Sequence, residues 1–174
     1  GSFMILAGTS VTKDGSVVVA QNHENQEKGL YYLTQYPRAQ HDSGATVSLP
    51  NGLAIAQTNI TFRWMSLENK DSYLKNGAIG VNEHQVAIGG WVSLENDRNP
   101  KAREADPFVE GGATLGILPV VLQRVRTARE FVTILGKIYN RHGIASGVGI
   151  AVADKTEAWY IETGGGHHWA AIQI

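Results

Sequence analysis

The residues best suited to chemistry stand near the start of the chain. Ser2 heads the apolar run Phe3-Met4-Ile5-Leu6-Ala7, and a second apolar run, Val17–Ala20, ends in the polar cluster Gln21-Asn22-His23-Glu24. The turn signal Asp14-Gly15-Ser16 lies between them. A hydroxyl residue that leads a strand at the chain start carries its nucleophile and its base on one residue. An α-amine has a pKa of about 7.7–8.0, so near neutral pH it accepts the proton that the hydroxyl must lose, and no histidine is needed. The condition is that nothing precedes the nucleophile. Gly1 precedes it here, so with Gly1 attached the Ser2 nitrogen is an amide without basicity.

The elements that would position this cluster can be read from the hydrophobic pattern. Met4–Ala7 and Val17–Ala20 predict a pair of strands, and Leu30–Tyr36 a third. Pro50-Asn51-Gly52 between Thr46–Leu49 and Leu53–Gln57 predicts a hairpin, as does Asn82-Glu83-His84-Gln85 between Gly77–Val81 and Val86–Val92. No element is assigned between Gln57 and Gly77, and the charged stretch Glu95–Glu104 reads as a surface loop. The period then changes. Leu115, Leu118, Val121, Leu122 and Val125 recur at helical spacing, with Pro119 suited to the first turn. Thr127 and Glu130 form a capping box for a second helix, whose apolar stripe runs from Ala128 to Tyr139 and which Gly143 closes. Strands return at Gly147–Ala153, Glu157–Thr163 and His168–Ile174. Strands, a helical pair and more strands give an α+β class with mostly antiparallel sheets.

Composition excludes several classes of function. The chain has 174 residues, 43% hydrophobic, with a formal net charge of -1. That suits one domain and offers no electrostatic footprint for nucleic acid or an anionic membrane. No apolar run approaches the length of a membrane span. Phe3–Ala7 is too short for a signal peptide, which favours a cytoplasmic location without excluding a removed leader. With no cysteine there is no thiolate metal site. His167 and His168 are adjacent in an expected strand and so point to opposite faces, a poor ligand pair. Neither metal nor cofactor is expected.

Several segments together resemble one family. Ser2-x5-Gly8, Asp14-Gly15-Ser16, Asn22-x-Glu24, Gly80-Val81-Asn82-Glu83-His84, Arg126-Thr127-Ala128-Arg129-Glu130, Ala153-Asp154-Lys155-x-Glu157-Ala158-Trp159-Tyr160 and Gly165-Gly166-His167-His168-Trp169 look like the PepD-type dipeptidases. These are N-terminal-nucleophile cysteine hydrolases, similar to the secernins and more distantly to bile salt hydrolases and penicillin V acylases. The resemblance runs from Ser2 to Ile174. It implies a four-layer αββα sandwich of which residues 1–174 form the N-terminal portion, completed by a second chain or a C-terminal segment. The last run, Ile172-Gln173-Ile174, ends without turn or cap, which points the same way.

The resemblance also implies site residues. Ser2 stands where the family has its nucleophilic cysteine. Glu24 stands where an Asp holds the α-amine. Gln21 stands where the family has Arg, or Lys in the secernins, so a cation beside the nucleophile is missing. The family counterpart of Asn82 supplies an oxyanion-hole donor, while the residue type alone equally suits a turn. The function so implied is amide or peptide hydrolysis on dipeptides or N-acyl amino acids through an acyl-enzyme. Ser2 and Gly1 together suggest an inactive, nucleophile-substituted or unprocessed form. The alternatives are an acylase acting on another C–N bond and a non-catalytic binding or scaffold homologue. The expected partners are the small substrate and a complementary C-terminal chain or further copies of this chain.

Overall fold

The computed structural model describes residues 3–22, 30–69, 78–91 and 100–174. Ser2 and Glu24, two of the expected site residues, lie outside them.

The largest element is a seven-stranded sheet. Its strands are β3 (Tyr31–Tyr36), β8 (Trp64–Asn69), β9 (Ile79–Asn82), β10 (Ala87–Trp91), β11 (Gly149–Ala153), β12 (Ala158–Gly165) and β13 (His168–Gln173). They run in the order β13-β12-β11-β10-β9-β8-β3, every neighbour antiparallel. Smaller pairings join β4 (Ala39–Gln40) to β7 (Ile60–Thr61) and β5 (Thr46–Ser48) to β6 (Ala54–Ala56), the last across the expected Pro50–Gly52 turn.

One face of the sheet carries helices α2 (Ile117–Leu122) and α3 (Ala128–His142). Ile88, Ile150, Val152 and Ile161 point to it and pack with Leu118, Val121, Phe131 and Leu135, all at most 2% exposed. A buried side chain of this size contributes about 1.5–3 kcal/mol, so the sheet–helix layer supplies most of the hydrophobic stabilisation. The expected caps of α3 are present. Thr127 Oγ1 accepts from Glu130 N at 3.1 Å, and Glu130 Oε2 accepts from Arg126 N at 2.7 Å. Gly143 closes the helix at φ 74°, a conformation that favours glycine. At Gly136 a Cβ would stand 2.3 Å from the Trp169 ring, so this glycine is what lets α3 lie on β13.

The other face carries the hairpin of β1 (Phe3–Ala7) and β2 (Val18–Asn22), which lies over β10, β11 and β12. Alternation along the strands sends Gly89, Gly149, Ala151, Tyr160 and Glu162 toward this side. Helices, the sheet and this hairpin make three stacked layers, the hairpin standing where a second sheet would begin. Phe3 and Ile5 on its outer face are 57% and 52% exposed.

Three sequence expectations need correction. Glu95–Glu104 is not wholly loop, because α1 occupies Pro100–Ala105. Proline suits a first helical turn, and Lys101–Glu104 consists of good helix formers. The span between Gln57 and Gly77 contains β8, a strand inside the sheet. Its alternation is inverted: Ser66 is buried on the helix side, while Met65 is 41% exposed on the other. The helix expected around Leu115–Val125 is shorter, Ile117–Leu122, with Leu115 and Val125 buried as flanks.

Candidate active site

The direction of β1 decides which end of the sheet holds the chemistry. Gly8, just past its end, lies against Ile174, and Ile174 N bonds Ala158 O at the start of β12. Strand β1 therefore begins toward the other end, where Trp91, Gly149 and Glu162 pair across β10, β11 and β12. Phe3 pairs with Asn22 and Met4 with Gln21, so Gln21 and Asn22 lie beside the start of β1.

Gln21 turns inward here. Its Nε2 donates to Gly90 O at 3.3 Å, and its Oε1 is buried with no hydrogen-bond partner. A Cβ on Gly89 would come within 2.6 Å of that oxygen, so only glycine lets the side chain lie flat on β10. An orphaned buried acceptor costs about 1–3 kcal/mol, the kind of cost retained where a donor arrives with a ligand.

Asn82 needs correction as an oxyanion donor. It is 5% exposed and sits at the opposite end of the sheet, beyond the Val81–Ala87 pair. From Ala87 to Trp91 alone is about 13 Å at strand rise. Both amide hydrogens of Asn82 are committed, to Leu122 O and Val125 O at 2.8 Å each. Its Oδ1 accepts from His84 N and Val86 N at 2.9 and 3.1 Å. Asn82 thus ties the β9–β10 turn to the end of α2 and has no N–H left for a substrate. The positive φ falls instead on Gln85, at 65°.

Sequence reasoning missed Tyr160 and Glu162 as members of the site. The Tyr160 hydroxyl donates to Glu162 Oε1 at 3.2 Å on the face toward the hairpin. A Cβ on Gly149 would stand 2.9 Å from that hydroxyl. Burial and then the Glu162 charge push the Tyr160 phenol above its ordinary pKa. The available signal was a carboxylate in an otherwise apolar strand, Ala158-Trp159-Tyr160-Ile161-Glu162.

Other polar groups serve the frame. Burial would raise the Asp154 carboxyl, but the N–H groups of Ala128, Thr156 and Glu157 and the Thr156 hydroxyl together hold it below the usual carboxylate range. His84, half-buried, packs edge-on to Phe62 at 4.4 Å. His168 Nδ1 meets Asp106 Oδ2 at 2.6 Å, and His167 Nδ1 lies 2.9 Å from Tyr139 O. An open cavity of about 480 Å³ is lined by Gln35, Pro37, Arg38, Arg63 and Glu83. It lies at the Asn82 end, and Glu83 engages both arginines there, at 3.1 and 3.7 Å.

A family model described as Peptidase family C69 matches residues 3–174. The chain belongs to this family. Among C69-like relatives, Probable dipeptidase B of Lactococcus lactis subsp. lactis (strain IL1403) is 33% identical over 177 residues, covering 98% of this chain and 36% of that protein. Probable dipeptidase of Salmonella dublin is 28% identical over 173 residues, covering 98% of this chain and 40% of its own length. The chain thus spans well under half the length of these curated relatives. Penicillin V acylase from Agrobacterium tumefaciens has a similar fold, with a TM-score of 0.59 at 17% identity over 99% of this chain and 49% of that chain. The C69 chain and this acylase therefore share an antiparallel layered architecture.

Proposed function

We propose that this chain is the N-terminal portion of an amide- or peptide-bond hydrolase acting on dipeptides, with the residue at position 2 as its nucleophile. The observation that carries this reading is the course of β1. Its start points to the sheet end where Gln21, Gly90, Tyr160 and Glu162 gather. The dipeptidase names of the relatives support the substrate class.

The reaction follows from the residue types. With its α-amine free, residue 2 gives its side-chain proton to that amine and attacks the peptide carbonyl carbon. The C–N bond breaks, the amine returns the proton to the leaving nitrogen, and water hydrolyses the ester or thioester left behind. Glu24 holds the protonated amine. Gln21, neutral and braced on Gly90, stands where the family has a cation, so a cysteine here would be less acidic than in relatives. With Gly1 attached the base is an amide, and the chain is an inactive form.

The alternative substrate class for the same chemistry is N-acyl amino acids. The completing partner is a C-terminal segment or chain like the part of the relatives this chain does not span. It would cover Leu33, Met65 and Ile172, which are 72%, 41% and 60% exposed on the face beside the hairpin. The test uses the full-length protein with Ser2→Cys, prepared with and without Gly1, on a panel of dipeptides and N-acyl amino acids. Turnover only without Gly1, and lost on thiol alkylation, is the expected result. No turnover across the panel contradicts the reading.

A further inference from the structure

Among the described residues the face of the seven-stranded sheet toward β1–β2 is largely apolar, with Gln35 and Asn69 polar on its β3–β8 edge. Among the described residues its strands carry two carboxylates, Glu68 and Glu162. Glu68 lies on the helix side, where the Tyr36 hydroxyl donates to it. Glu162 stands alone on the side toward β1–β2, at the level where β1 begins. Its cross-strand neighbours are Gly149 and Ala170, so nothing larger than a methyl group flanks it on either strand. No lysine, arginine or histidine among the described residues pairs with it. Among the described residues Tyr160 alone holds it, at 3.2 Å. Gly149 lacks the Cβ that would collide with the Tyr160 hydroxyl.

Glu162 is exposed, and covering it with a ligand would be costly unless a cation meets it. It is oriented by a phenol, bordered by small residues and placed beside the expected nucleophile strand. We infer that Glu162, positioned by Tyr160, holds the free α-ammonium of the substrate and so selects peptides with an unblocked N-terminus over N-acylated ones. The inference rests on the hydrolase reading above and deepens it by naming the substrate group. An ammonium offers three donors, of which Glu162 takes one or two as charge-assisted hydrogen bonds. N-acylation removes the charge and adds bulk against Gly149 and Ala170. A charged hydrogen bond at a partly solvated site corresponds to about ten- to hundredfold in affinity.

The experiment titrates the full-length protein by calorimetry with the ketomethylene isostere of Ala-Ala, which cannot be hydrolysed, and with its N-acetyl counterpart. The free-amine isostere should bind at least tenfold tighter. Glu162→Gln should abolish that preference by weakening only the free-amine ligand. Glu162→Asp should restore part of it, and Tyr160→Phe should reduce it severalfold. Glu162 is exposed, so the variants should keep the parent's melting temperature, which is checked alongside. Equal binding of the two isosteres, binding of neither, or an unchanged preference in Glu162→Gln overturns the inference. Dipeptide turnover without discrimination leaves the hydrolase reading standing and removes the subsite. A Glu162-dependent preference in a protein that hydrolyses no peptide does the reverse.

Discussion

Gln21 lies flat on Gly89, its Oε1 only 2.6 Å from the point a Cβ would occupy. The hairpin and the main sheet are therefore in direct contact at the end where β1 begins. In Gly89→Ala the atom in the way is the end of a flexible side chain, so the fold should lose at most about 1 kcal/mol in denaturant melts. Gln21 must leave Gly90 O, and kcat/KM should fall about tenfold or more. Gly90→Ala behaves differently, because its Cβ meets Leu118 and Leu115 at 2.5 and 3.1 Å on the packed side. That overpacking should cost about 1–3 kcal/mol.

Asn82→Ala removes four hydrogen bonds and leaves buried carbonyls at Leu122 and Val125 without donors. A loss of about 3–5 kcal/mol is expected in chemical denaturation. The kcat of the fraction that remains folded should stay within a few-fold of the parent. A drop of about a hundredfold or more in that kcat would restore an oxyanion role to this residue.

Asp154 sets a pH dependence of stability. Its folded pKa is depressed, so its contribution is complete above the unfolded value of about 3.9 and is lost as pH falls through the lower folded value. The parent should therefore lose stability below about pH 4, and Asp154→Asn should lose less over that window. At neutral pH the variant should be less stable by about 2–3 kcal/mol, since three backbone N–H donors lose a charged acceptor. Identical pH profiles for the two proteins would contradict this assignment.

Thr127→Ala removes the cap of α3 and should cost about 1 kcal/mol, with Thr127→Ser close to the parent. Thermal melts of the two variants check it.

Local signals were legible wherever one element settled its own structure. Thr127, Glu130 and Gly143 marked both ends of α3, and Asp14-Gly15 and Pro50-Asn51-Gly52 marked turns that formed. Strand β8 was hidden because Ser66 and Asn69 are buried polar residues while Met65 is exposed, so its pattern answers to tertiary cover and not to solvent. At the site, the position of Gln21 beside the β1 start followed from residue order. The role of Asn82 did not, since its amide is spent on α2, which is 40 residues away in sequence. Glu162 drew no assignment from the sequence; its side follows from the register, which places it on the face toward β1–β2.

The most direct measurement is the intact mass of the full-length Ser2→Cys protein, freed of Gly1, quenched during turnover of a dipeptide and then mapped by proteolysis. The expected result is an added aminoacyl mass confined to the fragment that begins at residue 2, absent when Gly1 is retained. An adduct on another residue, or equal turnover with Gly1 in place and no adduct, would contradict the account.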